Sequence, residues 1–358
     1  MFRIKRFACE QRTQHGVTDA KNPAFSFSVE SDRNGASLQR AALAVNGWQA
    51  QADQVATSYE GPALAPFTTY TAELSATDDQ GHTDAASLTF ETGRMDTPWQ
   101  ARWITDGSYR FTEKRVSPVP LTFRKELSLR GRVKQARIYA TAMGMYELAI
   151  DGVKVGEEYF APGFTSYKHR LLYQTYDVTA QLHESSILTA VVAGGWAVGS
   201  FIYSRINRFA ADRQALLLEI RITYEDGTQD VIGTDESWQV TREGAYRMAD
   251  LYDGETYDAT VDEASVEWRA ASIEKLRVKP EITAAYLPVR APETMTPVSV
   301  TAHESGLIYD FGQNFAGVIH LKIRGRKGQK ITVTHAEILA PDGSLNTAFL
   351  RSAKATAT

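Results

Sequence analysis

The stretch YATAMGMYELAIDGVKVGEEYFAPGFTSYKHRLLYQTYDV, residues 139–178, decides the fold class of this chain. Apolar and polar residues alternate along its first and last parts, which is the pattern of half-buried β-strands. Asp151-Gly152 interrupts the alternation, and both residue types tolerate the positive φ that a two-residue hairpin turn needs. Pro162-Gly163 marks a longer loop before the alternation resumes. The stretch therefore predicts antiparallel strands of a β-sandwich.

The bulk composition is that of a globular protein with more than one domain. The chain has 358 residues, of which 43% are hydrophobic and 23% charged. Usual domain sizes then predict two or three domains. The net charge is −4 and no dense Lys/Arg block occurs, so nothing favours nucleic acid as a partner.

The N-terminus and the cysteine content predict the cellular compartment. Residues 1–16 carry basic residues but no apolar stretch long enough for a signal peptide, and no run of the ~18 apolar residues typical of a membrane span occurs elsewhere. The single cysteine, Cys9, cannot form an intramolecular disulfide. We expect a cytoplasmic protein that does not associate with membranes.

The strand pattern divides the chain into three segments, all of them β-rich. Closely spaced short strands over 1–95 predict an immunoglobulin-like or fibronectin III-like sandwich. Longer alternating runs over 97–292 predict a jelly-roll sandwich of the galactose-binding type. Three prolines between Leu287 and Pro297 mark a boundary. Beyond it, strands are predicted at 307–311, 318–323 and 330–335.

Several short motifs follow one another in a specific order along most of the chain. They are YATAMGMYE at 139–147, DG at 151–152, APGFTSY at 161–167, YQTYDVT at 173–179, DLYDGETYDA at 250–259 and YDFGQN at 309–314. Together they resemble the N-terminal modules of bacterial α-L-rhamnosidases, glycoside hydrolase family 78. The resemblance implies that 293–358 is the start of a concanavalin-like sandwich, truncated within that domain.

The same resemblance implies the activity of the parent protein. Family members remove terminal α-linked L-rhamnose from glycosides with inversion, using two carboxyl groups that flank the scissile bond. In the family these acids lie in an (α/α)6 barrel that follows the modules found here. We therefore expect no catalytic residue in this chain, which would serve as a scaffold for the barrel and mediate a homodimer.

An alternative function is that of a stand-alone, lectin-like module. Sugar-binding sandwiches stack aromatic faces on pyranose rings and orient them with a few polar groups. The candidates near loops are Trp196, Tyr203, Tyr167 and Tyr257, with the carboxylate of Glu255 beside the last. For each aromatic residue a place in the core is the alternative, and the favoured one.

Acidic residues cluster in the motif at 250–259. Asp250, Asp253, Glu255 and Asp258 lie within nine residues of one another. One interpretation is structural, with the carboxylates accepting hydrogen bonds from loop N–H groups and from arginine. Contact with a carbohydrate or a metal is the other. Catalysis by this cluster is the least favoured hypothesis.

Some relatives carry a calcium-dependent rhamnose site on the second module, which the resemblance maps to three positions of this chain. These positions hold Lys168, His169 and Gln214. A cation and an imidazole are poor ligands for calcium, which prefers several oxygen atoms. We therefore expect neither calcium nor another metal or cofactor.

Overall fold

The computed structural model describes residues 1–13, 16–109, 111–200, 202, 204–285 and 287–358. Regular structure in these ranges is almost entirely β-strand, with a 3-10 turn at Ala348–Leu350, so the predicted all-β fold is confirmed. The chain divides into two compact units. The first holds Met1–Gln100, Arg170–Thr175 and Glu281–Pro288, and the second holds the remainder. No helix in the described ranges is long and apolar enough to cross a membrane.

The first unit contains the predicted immunoglobulin-like sandwich. Its strands are β1 (Phe2–Cys9), β2 (Gly16–Thr18), β3 (Ala24–Ser31), β4 (Leu38–Val45), β5 (Trp48–Gln51), β6 (Thr57–Ser58), β7 (Thr69–Asp78) and β8 (Thr83–Thr92). They form two sheets, with orders β1-β3-β6 and β2-β8-β7-β4-β5. These strands agree with the closely spaced short strands predicted over 1–95.

Alternating side chains of these strands fill the core between the two sheets. The ring of Phe25 lies 6.2 Å from that of Phe7 and 5.5 Å from that of Phe90. The buried set also includes Phe27, Leu43, Val45, Ala72, Leu74, Ala76 and Leu88. Their spacing of two along each strand is the period with which side chains alternate between the faces of a sheet.

One carboxylate joins three segments within the first unit. Asp19 Oδ1 accepts hydrogen bonds from Tyr173 Oη and from the Met95 N–H, both at 2.7 Å. Its Oδ2 accepts a hydrogen bond from the Ala284 N–H at 2.8 Å. Residues 173 and 284 belong to β14 (Arg170–Asp177) and β23 (Glu281–Ala284), which pair in parallel. Asp19 therefore connects the sandwich to two segments distant in sequence.

The second unit contains a sandwich of two larger sheets. The strands of one are β10 (Leu121–Ser128), β12 (Met145–Ile150), β13 (Val153–Val155), β15 (Ser185–Ala193), β18 (Gln239–Thr241) and β21 (Arg269–Ala270). Their order is β13-β12-β15-β10-β18-β21. The other sheet includes β9 (Ile104–Thr105), β11 (Val133–Met143), β16 (Ala215–Tyr224), β17 (Gln229–Gly233) and β22 (Ser272–Ile273). In it β11 pairs with β16, which also pairs with β9 and β17.

The stretch 139–178 contains the hairpin that Asp151-Gly152 predicts. Ile150 of β12 pairs with Val153 of β13, and Asp151 and Gly152 between them have φ of 50° and 79°. Positive φ at both positions is the requirement of a type I′ turn. Behind this hairpin, apolar side chains of both sheets share one core that includes Ile138, Leu148, Ile150, Leu188, Leu216, Leu218 and Trp238.

The rest of the second unit is less regular. A four-stranded sheet has the order β19 (Tyr246–Asp250), β20 (Gly254–Tyr257), β27 (Thr356–Ala357) and β26 (Val333–Thr334), and β24 (Ser299–His303) pairs with β25 (Gly306–Asp310). The predicted strand at 307–311 corresponds to β25, whereas the one at 330–335 is reduced to the two residues of β26.

The prediction of a strand at 318–323 is wrong. This segment forms no strand, and its apolar side chains Val318, Ile319, Leu321 and Ile323 are exposed. Alternation is necessary for a half-buried strand, but a strand also needs a neighbour that completes its hydrogen bonds. Among the described residues no strand pairs with this segment.

Candidate functional site

Three aromatic rings form an exposed cluster on the second unit, here called the aromatic surface. Phe160 and Phe164 lie in the loop between β13 and β14, and Trp196 follows β15. The ring of Trp196 is 6.3 Å from that of Phe160 and 5.8 Å from that of Phe164. The two phenylalanines are 42% and 63% exposed, whereas Trp196 is half-buried. Their faces are therefore available for stacking on a planar or pyranose ring.

Tyr167 lies beneath this surface and is buried. Its ring contacts that of Phe164 edge-on at 6.5 Å, and its hydroxyl donates a hydrogen bond to the Gly163 carbonyl at 2.8 Å. Burial raises the pKa of the Tyr167 hydroxyl above its usual range, so the group stays neutral and keeps its proton for this hydrogen bond. Tyr167, a predicted candidate for sugar contact, is thus a buried residue that holds the loop presenting Phe164.

The backbone beside Trp196 is held by polar contacts. The Gly194 N–H donates to the Ala249 carbonyl at 3.2 Å. The Ser200 N–H and the Ser117 hydroxyl donate to Asp250 Oδ2 at 2.8 and 2.7 Å. A Cβ at position 194 would overlap the hydroxyl of Ser117 and displace it from its hydrogen bond with Asp250. Residues 194–200, here called the Trp196 loop, are thereby anchored at both ends.

The other two candidates, Glu255 and Tyr257, lie together on β20, away from any contact with the aromatic surface among the described residues. Tyr257 faces Tyr246 across the β19–β20 pair, with ring centres 5.1 Å apart. Partial burial, together with the charge of Glu147, raises the pKa of Glu255. Burial and the charge of Glu255 raise the pKa of Tyr246 to about 12. This second cluster combines two phenol rings with two carboxylates.

Tyr203 lies outside the described residues. The three positions that the resemblance maps to calcium differ in environment. Lys168 and His169 are exposed, whereas Gln214 is buried and its Nε2 donates to the Val119 carbonyl at 2.7 Å. Among the described residues no group of three or more His, Cys, Asp or Glu side chains is arranged to hold a metal ion.

The carboxylates of the acidic cluster at 250–259 accept hydrogen bonds from loop N–H groups and from arginine, as in the structural interpretation. Asp250 Oδ1 accepts a hydrogen bond from the Tyr252 N–H at 2.8 Å, and Oδ2 accepts those from residues 200 and 117. Asp253 Oδ2 forms a 2.6 Å ion pair with Arg205, and both side chains are largely buried. Asp258 accepts hydrogen bonds from the Thr260 N–H and hydroxyl at 3.0 and 2.7 Å. These carboxylates stabilise turns and loops.

Four members of the two clusters were not predicted from the sequence, namely Phe160, Phe164, Glu147 and Tyr246. Phe164 stands inside the APGFTSY motif, and its place between turn residues was a usable signal of exposure. Glu147 and Tyr246 join Glu255 only through the fold, because they belong to β12 and β19. No spacing along the chain predicts that proximity.

Family models match almost the whole chain, in order. The model of the Rha78A-like, N-terminal immunoglobulin domain matches residues 4–96. That of the alpha-L-rhamnosidase N-terminal domain matches 131–303. That of the bacterial alpha-L-rhamnosidase concanavalin-like domain matches 300–358.

Curated relatives are similar over part of their length. An alpha-L-rhamnosidase of Streptomyces avermitilis is 38% identical over 240 residues, which are 63% of this chain and 23% of that protein. One of Formosa agariphila is 29% identical over 299 residues, which are 78% of this chain and 32% of that protein. The chain thus spans about a quarter to a third of the length of these relatives.

Solved structures match over the whole chain. An alpha-L-rhamnosidase from Aspergillus terreus has a TM-score of 0.88 at 26% identity, covering 100% of this chain and 44% of its own. One from Dictyoglumus thermophilum has a TM-score of 0.84 at 28% identity, covering 99% and 43%. With three family models in the same order, the chain belongs to the α-L-rhamnosidases of glycoside hydrolase family 78 and carries that family's N-terminal β-sandwich domains.

Proposed function

We propose that this chain is the non-catalytic N-terminal part of an α-L-rhamnosidase and supports a helical catalytic barrel. The observation that carries the proposal is the one-sided coverage of the solved enzymes. They match 99–100% of this chain, yet the chain covers only 43–44% of them. The whole enzyme would hydrolyse terminal α-L-rhamnosyl residues of glycosides with inversion, by attack of a water that a carboxylate activates.

The state of the acidic residues supports a structural role. Inverting hydrolysis needs a general acid and a general base on opposite sides of the bond, with room for water between them. Asp250 is already occupied by serine and backbone donors, and Asp253 is paired with Arg205. Carboxylates that are engaged in such contacts fix the turn at 250–254 and are not free to flank a glycosidic bond.

The proposal is tested by assaying the purified chain with an aryl α-L-rhamnoside. We expect no release of the aryl group above the uncatalysed rate, while the full-length Streptomyces avermitilis relative assayed in parallel is active. Turnover by this chain that rises with its concentration would overturn the proposal.

A second candidate function is carbohydrate binding at the aromatic surface. It is favoured by the exposed faces of Phe160 and Phe164 against Trp196, since such rings stack on the apolar face of a sugar. Calorimetry with L-rhamnose, with and without calcium, tests it. We expect Trp196→Ala to abolish the binding heat. Trp268→Ala is the matched control, because Trp268 is also half-buried and stacks on Arg124 at 4.0 Å. No heat at millimolar sugar would exclude this function.

We propose in addition that the protein is cytoplasmic and that the parent enzyme is a homodimer. The lone cysteine supports the first proposal, because disulfides are common in exported proteins of modest domain size. Cell fractionation tests the location. Light scattering of the full-length enzyme tests the dimer, and a monomeric mass at micromolar concentration would exclude it.

A further inference from the structure

Residues 351–358, here called the docked segment, pair with the DLYDGETY motif as an added strand. The N–H groups of Lys354 and Ala355 donate to the Tyr252 carbonyl at 2.7 and 3.0 Å. Further along, the Thr358 N–H donates to the Glu255 carbonyl, and the Tyr257 N–H donates to the Thr358 carbonyl, both at 2.8 Å. The result is the parallel pairing of β27 with β20.

Gly254 makes this pairing possible. Its φ is +91°, and a Cβ at this position would overlap the backbone of Thr356. Only glycine allows both the left-handed conformation and the close approach of the second backbone. The Asp253-Gly254 pair is therefore the receiving point for the docked segment.

Arg205 contacts the receiving turn and the docked segment at the same time. Its Nη2 lies 2.6 Å from Asp253 Oδ2, and its Nη1 donates to the Ser352 carbonyl at 3.0 Å. Both charged side chains are largely buried, where an ion pair with additional hydrogen bonds is costly to break. The guanidinium thus gains a partner when the segment docks.

The same turn also holds the Trp196 loop. Asp250 Oδ1 accepts the Tyr252 N–H at 2.8 Å, while Oδ2 accepts the Ser200 N–H at 2.8 Å. Tyr252 is the residue whose carbonyl receives the docked segment. A continuous set of contacts therefore runs from residues 351–358 through the turn at 250–254 to the loop that carries Trp196.

We propose that docking of residues 351–358 on β20 sets the conformation of the Trp196 loop. Asp250, Asp253 and Arg205 are the positioning residues of this coupling. The aromatic surface and the third segment of the chain are then energetically linked, and each stabilises the arrangement of the other. The inference goes beyond the proposed function, and its test measures conformation, so a failure to bind sugar would leave it intact.

The test is amide hydrogen exchange of the whole chain with Gly254→Ala. We expect exchange to accelerate about tenfold or more both in peptides over 351–358 and in peptides over 194–200. Peptides from β16 report global stability and should be unchanged. Gly227→Ala is the matched control, since Gly227 has a similar φ of +83° but open space around its Cβ. It should affect neither segment.

Faster exchange in 351–358 with an unchanged Trp196 loop would overturn the coupling. If Gly254→Ala fails to fold, Arg205→Gln gives the second measurement, because it removes the shared ion pair without placing a Cβ against the backbone of Thr356. Faster exchange in both segments, with β16 unchanged, supports the proposal. Wild-type exchange in the Trp196 loop of this variant, with faster exchange in 351–358, contradicts it.

Discussion

The hydroxyl of Tyr173 donates a 2.7 Å hydrogen bond to Asp19 Oδ1, and the same carboxylate accepts the N–H groups of Met95 and Ala284. We predict that Asp19→Ala lowers the free energy of unfolding by about 2–3 kcal/mol, because these donors lose their acceptor. Urea denaturation measures the change. Asp96→Ala serves as the control, since Asp96 is exposed and forms a surface ion pair with Lys21. Equal effects of the two substitutions would contradict the role of Asp19.

Glu255 should make stability depend on pH. Burial and the charge of Glu147 raise its pKa above the ordinary value of 4.5, so the folded chain binds this proton more tightly than the unfolded chain. Its contribution to stability is therefore lost as pH rises from about 4.5 through the folded pKa.

Replacing Glu255 with glutamine removes that loss. We expect Glu255→Gln to raise the melting temperature at pH 7 and to leave it unchanged at pH 4. The exposed Glu281 provides the control for loss of a surface carboxyl. A stabilisation of the same size at both pH values would show that the effect is not one of ionisation.

Alanine substitutions at Gly152 and Gly156 distinguish the stability cost of backbone strain from that of steric overlap. Their φ values are +79° and +76°, but a Cβ at 152 meets nothing within 4 Å, whereas one at 156 would overlap the Tyr176 ring and Glu158. We predict that Gly152→Ala costs about 1 kcal/mol and that Gly156→Ala costs clearly more. Chemical denaturation of both variants checks the order, and a reversed order would refute this explanation.

Cys9 should be unreactive in the folded chain. Its side chain is buried in the first core, and burial raises the pKa of its thiol well above the usual range. Since the thiolate is the reactive form, we predict negligible labelling by a thiol-specific disulfide reagent in buffer and complete labelling of one thiol in denaturant. Rapid labelling of the native chain would show that the first sandwich opens.

Much of the fold follows from local signals in the sequence. The Asp151-Gly152 turn follows from its two residue types. The apolar run ALLLEIRITY forms the largely buried strand β16 (Ala215–Tyr224). The segment 318–323 shows where such signals end. Apolar and polar residues alternate in this segment too, but a strand forms only where a neighbouring strand supplies hydrogen bonds. The sequence of the segment does not specify such a neighbour.

The candidate site was less predictable for a similar reason. Trp196 was identified from its place after a buried strand, but its partners Phe160 and Phe164 come from a different loop. Tyr167 looked like a ligand contact because it adjoins a turn, and its burial depends on how that loop folds back. Side-chain direction in loops is set by tertiary contacts, which a single sequence does not encode locally.

The pairing of β20 with the docked segment has a consequence for how the protein is made. Residues 250–257 leave the ribosome long before residues 351–358, so during synthesis the edge of β20 has no partner strand. An open edge is a template for pairing with other chains, and multidomain proteins are most prone to aggregate at such stages. Completion of this ladder therefore waits until residues 351–358 have been synthesised, and slowing translation between the two segments should lower the soluble yield.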